Sequence, residues 1–134
     1  MSAAERFFDT KVLLYLLSSD TEKSDRAEQL LSAGGVISVQ VLNEFASVAS
    51  RRLKMSIEEI REVLTTIRAV CTVVPISEET HDEALRLAER YGLSIYDSLI
   101  VAAALIAECN TVVSEDMQDG QVLDRRVKIR NPFH

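Results

Sequence analysis

Arg6-Phe7-Phe8-Asp9-Thr10-Lys11-Val12-Leu13-Leu14 places one acid between a short β-type run and an apolar helical segment. Further β-type runs follow at 36–38, 72–74, 111–113 and 127–129, and segments with a helical period separate the first four runs. Strands that alternate with helices predict a parallel sheet. Asp9 therefore falls at the carboxyl end of a strand, the edge where open α/β sheets place their ligand sites.

Two of the connections between strands have the pattern of helix pairs. Apolar residues recur at three- and four-residue steps over 41–53, and a capping box at Ser56 starts a second helix that reaches about residue 69. A helix from Ser77 to about Tyr91 stops at Gly92, and the segment 94–107 is apolar on almost every side, as in a buried helix. These patterns predict one α/β domain over residues 1–134, a parallel sheet of four to five strands flanked by helices.

Composition limits the classes of partner and site. The 134 residues carry a formal net charge of −6, so no whole-molecule positive field attracts nucleic acid or anionic lipid. The two cysteines form no CxxC motif and the chain has two histidines, which gives no signal for a zinc site or a disulfide framework. The sequence shows neither a membrane span nor a signal core, and we expect a reduced, cytoplasmic protein without membrane contact.

Four acids do not fit a solvated helix face. Asp9 and Asp116 follow the first and fourth β-type runs, Asp97 is the only acid in the first three turns of the buried helix, and Glu44 lies at the margin of an apolar stripe. If they converge, each pair of carboxylates at about 5 Å repels by roughly 3 kcal/mol at an effective dielectric of 20. Oxygen ligands of this kind select Mg²⁺ or Mn²⁺, which suits phosphodiester hydrolysis.

Each of these acids also has a structural interpretation when it is taken alone. Asp9 or Thr10 can cap the next helix, and Asp97 can act as a capping-box acid that also meets the helix dipole. Asp116 lies in a segment typical of a turn, and the stem of Glu44 can pack while its head reaches water. The separations along the chain form no local metal motif.

Together, the acidic motifs resemble those of PIN-domain ribonucleases, and most of all the VapC-type toxins of toxin-antitoxin pairs. The motifs are Phe-Phe-Asp9-Thr10, Leu-Asn-Glu44-Phe, Tyr-Asp97-Ser-Leu and Val-Ser114-Glu-Asp116. The resemblance implies a PIN-like three-layer fold, a Mg²⁺ or Mn²⁺ site, RNA hydrolysis, a homodimer and a cognate antitoxin that blocks the cleft.

By the same resemblance, the four acids bind metal or hold metal-bound water, and Thr10 and Ser114 match supporting positions. Asp119 is a further acid near the fourth motif, and we assign it a supporting role at most. An acid-rich cleft is also a natural receptor for an antitoxin Arg or Lys that takes the place of the metal.

Lys11 departs from the family pattern, in which an Asn commonly follows the Asp-Thr pair. An ammonium beside Asp9 can occupy a metal position, which favours the main alternative, a PIN-fold protein that binds RNA or a partner without cutting it. A receiver-type signalling domain is disfavoured by the lone early acid and the helix pairs. A haloacid-dehalogenase-type phosphatase is disfavoured because Lys11 stands where that family has a second acid.

Three cations in the last β-type run offer a local surface for RNA. They alternate with Val127 and Ile129, so one face of the strand is basic and the other apolar. Phosphate contacts from this row can position an RNA, and a compact structured RNA fits the low aromatic content better than a long single strand. The alternative is that the charges blunt an exposed sheet edge. We name these residues the cation row: Arg126, Lys128 and Arg130.

Overall fold

The computed structural model describes residues 5–133, which form a six-stranded sheet with the order β3-β2-β1-β4-β6-β5. All neighbouring strands run parallel except β5, which is antiparallel to β6. The five strands predicted from the sequence are confirmed within one residue at each end. The strands are β1 (Arg6–Phe8), β2 (Gly35–Ser38), β3 (Cys71–Val74), β4 (Thr111–Val113), β5 (Val122–Leu123) and β6 (Val127–Arg130).

Six α-helices occupy the connections of the described chain. Both predicted helix pairs are confirmed, α3 with α4 and α5 with α6. The connection from β1 to β2 is also divided, because α1 is followed by a 3₁₀ turn at Tyr15–Leu17 before α2 begins. The helices are α1 (Thr10–Leu14), α2 (Thr21–Ser32), α3 (Val39–Arg51), α4 (Ile57–Val70), α5 (Glu78–Tyr91) and α6 (Ile95–Ile106).

Local side chains fix where these helices begin and end. Ser56 and Ser77 each form a reciprocal capping box at the starts of α4 and α5, and Gly92 ends α5 at a φ of +69°. Ser94 caps α6 by accepting a hydrogen bond from the backbone nitrogen of Asp97 at 3.1 Å. The described contacts include no hydrogen bond from the Ser94 backbone nitrogen to the Asp97 carboxylate, so the predicted capping box is half formed.

The central strands are buried on both faces. Phe7 and Phe8 point to opposite faces of the sheet and both are fully buried, and every residue of β2 and β4 is buried as well. Helices therefore cover both faces, which confirms the three-layer architecture. Gly35 is required at the start of β2, because a Cβ there would overlap the Phe8 ring and lie 3.0 Å from the Arg6 carbonyl oxygen.

The sixth strand is a difference from the predicted four to five. β5 has two residues, of which Val122 is exposed and Leu123 buried, and so short a segment has no alternation to detect. Cys71 and Cys109 are buried thiols, and burial raises the pKa of each to about 11. Within residues 5–133 no helix has the length and apolar character that crossing a membrane requires.

Candidate functional site

Asp9 lies where the strand order of the sheet reverses direction. β1 is flanked by β2 on one side and by β4 on the other, and the carboxyl ends of β1 and β4 meet there. The backbone nitrogen of Asp9 donates to the carbonyl oxygen of Val113 at 3.0 Å. A reversal of this kind opens a crevice at the carboxyl edge of the sheet, the usual ligand position in α/β folds.

Ser114 joins two of the predicted acids from a fully buried position after β4. Its hydroxyl donates to Oδ2 of Asp9 at 2.8 Å. The same oxygen accepts hydrogen bonds from the backbone nitrogens of Asp116 at 3.2 Å and Met117 at 3.3 Å. The loop after β4 is thus folded around Ser114, which fixes the carboxylate of Asp9 and the backbone of Asp116 relative to each other.

Asp9 is also the helix cap that its position suggested, since its Oδ1 accepts from the Thr10 backbone nitrogen at 2.7 Å. It is 9% exposed. Burial raises the pKa of Asp9 to about 6, with smaller contributions from the charges of Asp97 and Asp116, although the hydrogen bonds from Ser114 and Thr10 act to lower it. The structure therefore keeps a carboxylate in a place where its charge is disfavoured.

Asp97 belongs to the same electrostatic group from the first turn of α6. Its partly buried carboxyl has a pKa raised mainly by burial, which outweighs the hydrogen bond from Ser94, and the charge of Asp116 adds to the increase. Asp9, Asp97 and Asp116 thus interact through space although they lie on three different elements. We call these three residues the acid cluster.

Glu44 is the predicted acid that the described contacts do not join directly to the acid cluster. It is half-buried on α3, where its Oε1 accepts from Nε2 of Gln40 at 2.7 Å. The same nitrogen approaches the carbonyl oxygen of Tyr96 at 3.5 Å. Gln40 thus links Glu44 to the backbone of Tyr96, the residue that precedes Asp97 in α6.

The sequence predicts the Lys11 ammonium beside Asp9, but the described contacts of this ammonium are with Asp116 and Glu115. Its Nζ is 3.3 Å from Oδ1 of Asp116 and 3.3 Å from Oε1 of Glu115. Burial lowers the pKa of Lys11, and the hydrogen bonds to Asp116 and Glu115 raise it by more. Glu115 is held in addition by the Tyr15 hydroxyl at 2.7 Å and by Nζ of Lys23 at 3.7 Å.

The donor set of the acid cluster suits a hard divalent cation. All its ligand atoms are carboxylate oxygens. The Oγ1 of Thr10 and the Oγ of Ser98, each next in sequence to one of the acids, are buried without a hydrogen-bond partner among residues 5–133. No three carboxylate, imidazole or thiolate groups of residues 5–133 already converge at metal-binding distance. The acids thus fit the metal chemically, while Asp116 is paired with Lys11.

Asp119 is not linked to the acid cluster by any contact of the described residues. Its Oδ1 accepts from the backbone nitrogen of Asn131 at 2.9 Å, so it anchors the segment after β6. The supporting residues that the structure does bring to the cluster are Thr10 and Ser114.

The cation row alternates as predicted, with its members exposed and Val127 and Ile129 fully buried. The interpretation as an exposed sheet edge is wrong, because β6 lies between β4 and β5. Arg130 ends β6 beside the site, and its carbonyl oxygen accepts from the Ser114 backbone nitrogen at 2.9 Å. The basic row therefore ends at the same edge of the sheet as the acid cluster.

Three residues of the site were missed in the sequence. Gln40 precedes Glu44 by four residues, a spacing that puts both on one helix face, so its role was detectable. Glu115 adjoins a predicted acid. Tyr15 gave no signal, because its contact with Glu115 joins segments 100 positions apart.

A family model for the PIN domain matches residues 6–118. The chain belongs to the PIN-domain family. Its fold is similar to a chain of a toxin-antitoxin complex from Klebsiella pneumoniae, with a TM-score of 0.71, 19% identity and coverage of 95% of this chain and 97% of that one. No curated protein sequence matches the chain.

Two other solved structures share the fold of this PIN domain. FitAcB from Neisseria gonorrhoeae has a TM-score of 0.70 and 18% identity, with coverage of 96% of this chain and 99% of that chain. VapC20 from Mycobacterium tuberculosis, described as a sarcin-ricin loop cleaving toxin, has a TM-score of 0.66 and 18% identity over 83% of this chain and 91% of its own. At these identities the likeness is one of fold.

Proposed function

We propose that this PIN-domain protein is a Mg²⁺- or Mn²⁺-dependent endoribonuclease and the toxin of a toxin-antitoxin pair. The observation that carries the proposal is the acid cluster at the reversal point of the sheet, where burial and the charges of neighbouring carboxylates raise the pKa values of Asp9 and Asp97. A bound divalent cation offsets the repulsion between these carboxylates. Membership in the PIN-domain family supports assignment of the protein to the nucleases.

In this proposal Asp9, Asp97 and Asp116 hold the cation, and Glu44 acts from the neighbouring helix α3. When bound, the metal supplies activation of the attacking water and stabilisation of the leaving phosphate oxygen. The protein's own contribution is orientation, because Ser114 fixes the carboxylate of Asp9 through a 2.8 Å hydrogen bond. Burial of Asp9 limits the water that competes with a bound ion.

The cation row is our proposed contact for RNA phosphates. Lys128 and Arg130 are exposed on one face of β6, and the exposed Arg126 immediately precedes the strand. The strand ends beside the acid cluster, where the carbonyl oxygen of Arg130 accepts from the backbone nitrogen of Ser114. Phosphate contacts position a nucleic acid without reading its sequence. A local basic surface also explains how a chain with a net charge of −6 can bind RNA.

The proposed partners are a cognate antitoxin and a second copy of the chain. The Klebsiella pneumoniae structure is a toxin-antitoxin complex. We propose that an antitoxin Arg or Lys enters the acid cluster in place of the metal, in a homodimer within the cytoplasm. Co-purification with the antitoxin tests the pair, and sedimentation equilibrium of the isolated chain tests the dimer.

Metal-dependent stability tests the enzymatic proposal before any RNA is known. The melting of the wild type and of Asp97→Asn is recorded with Mn²⁺ and with a chelator, and Asp82→Asn on the exposed face of α5 is the matched control. At a hundred times the dissociation constant, Mn²⁺ adds about 2.7 kcal/mol to the wild type. We expect the same gain in Asp82→Asn and little in Asp97→Asn.

The second candidate function is RNA or partner binding without cleavage, and it is favoured by the Lys11 ammonium on Asp116. If Mn²⁺ leaves all three melting curves unchanged, the metal site fails and this candidate replaces the nuclease. If Mn²⁺ stabilises only the chains with an intact acid cluster, cleavage of structured RNA is then assayed with Asp97→Asn as the inactive control.

A further inference from the structure

The Lys11 ion pair divides the acid cluster into two halves with different neighbours. Asp9 lies on the buried half, where Ser114 and Thr10 donate hydrogen bonds to its carboxylate. Asp116 lies on the open half with 54% of its side chain exposed, and Lys11 is the cation in contact with it. The two halves therefore offer a metal ion unequal access.

We propose that Lys11 is a built-in counter-cation of Asp116, which a divalent ion must displace before Asp116 can become its ligand. The inference rests on the proposed metal site, and it concerns a lysine whose ammonium contacts one of the proposed metal ligands. It assigns Lys11 the role of setting how tightly the acid cluster binds its metal.

The surroundings of Lys11 allow this displacement at small cost. Its Nζ also contacts Glu115, whose carboxylate is held by the Tyr15 hydroxyl and by Lys23. When Asp116 turns to a metal, the ammonium keeps Glu115 as its partner. Asp116 has the freedom to turn, because its backbone nitrogen is fixed by Ser114 while its side chain is largely exposed.

Charge explains why the ammonium lowers metal affinity. The acid cluster carries three negative charges when it is ionised, and Lys11 neutralises one of them. The ammonium also remains close to an incoming ion after displacement, since Glu115 adjoins Asp116 in the chain. A unit charge about 6 Å from a divalent ion in water weakens its binding by up to about tenfold, and loss of an exposed ion pair contributes up to about fivefold.

Calorimetric titration with Mn²⁺ at fixed ionic strength and pH 7.5 tests the proposal on the purified full chain. We expect Lys11→Met to lower the dissociation constant for Mn²⁺ about five- to tenfold. Lys23→Met is the matched control, because it removes a lysine that contacts Glu115 and for which no contact with Asp116 is described. It should change the constant by less than about twofold, and Lys11→Arg should bind Mn²⁺ as the wild type does.

The possible outcomes separate this inference from the proposed function. If the wild type binds Mn²⁺ and Lys11→Met binds it no more tightly, the counter-cation role is refuted and the metal site stands. If neither protein binds Mn²⁺, the metal site itself is refuted, and this inference with it. The side chain of Lys11 is 43% exposed, so its replacement leaves the core intact. Far-UV circular dichroism checks the fold, and Lys11→Gln replaces Lys11→Met if that variant misfolds.

Discussion

Replacing Asp9 by Asn should make the metal-free protein more stable at neutral pH, although it removes a residue of the proposed active site. Burial raises the pKa of Asp9 from 3.8 to about 6, so the folded state holds a proton on this carboxyl more tightly than the unfolded chain does. Above pH 6 the carboxyl is ionised in both states, and its charge opposes folding. Asn has the same shape without the charge.

The size of the effect follows from the shift. A change from 3.8 to about 6 corresponds to about 3 kcal/mol of opposition to folding at pH 7.5, at about 1.36 kcal/mol per unit. Ser114 and Thr10 donate to different oxygens of Asp9, and Asn has an acceptor oxygen at only one of these two positions. The lost hydrogen bond costs about 1 kcal/mol. We therefore expect Asp9→Asn to be about 1–2 kcal/mol more stable at pH 7.5 in chelator.

The sign of the pH dependence gives a second, independent readout. A carboxyl with a raised pKa contributes most to the free energy of unfolding at pH values where it is protonated in both the folded and the unfolded chain. For Asp9 this contribution is lost as the pH rises through about 6. Between pH 7.5 and 4.5 the wild type should gain about 2 kcal/mol relative to Asp9→Asn. The advantage of the mutant should disappear at pH 4.5.

Urea unfolding with a chelator at pH 4.5, 6.0 and 7.5 measures both effects. Asp82→Asn on an exposed helix face is the matched control, and its stability should follow the wild type at every pH. Parallel pH profiles for the wild type and Asp9→Asn would refute the reasoning, because they would mean that Asp9 has the same proton affinity in the folded and unfolded chains.

Three further changes test the supports of the site. Ser114→Ala should cost about 2–3 kcal/mol in urea unfolding, because it removes a donor to Asp9 and leaves two backbone nitrogens unpaired; a loss below about 0.5 kcal/mol would contradict the joining role of Ser114. Gly35→Ala should cost about 1–3 kcal/mol through overlap with Phe8, and unchanged stability would show that the ring moves aside. Alanine at all three positions of the cation row should reduce the log–log salt slope of RNA binding by about 2–3, and an unchanged slope in filter binding would remove the row from the RNA surface.

Much of the fold could be read from the sequence because its signals are local. The Ser56 and Ser77 capping boxes and the left-handed stop at Gly92 depend on residues within one helical turn. Alternation in β6 and the apolar run of α6 predicted burial correctly, since periodicity records which face meets the core. β5 escaped detection because two residues carry no period.

The sequence by itself determined the strand-helix alternation and the position of Asp9, Asp97 and Asp116 at the ends of their elements, since both are properties of neighbouring residues. Only the tertiary structure decided that β6 lies inside the sheet and that Ser114 bonds to Asp9 across 105 positions. It also decided that Lys11 pairs with Asp116 and not with the acid two residues before it. Such contacts depend on strand order and loop path, which arise from packing of the whole chain and leave no trace in local spacing.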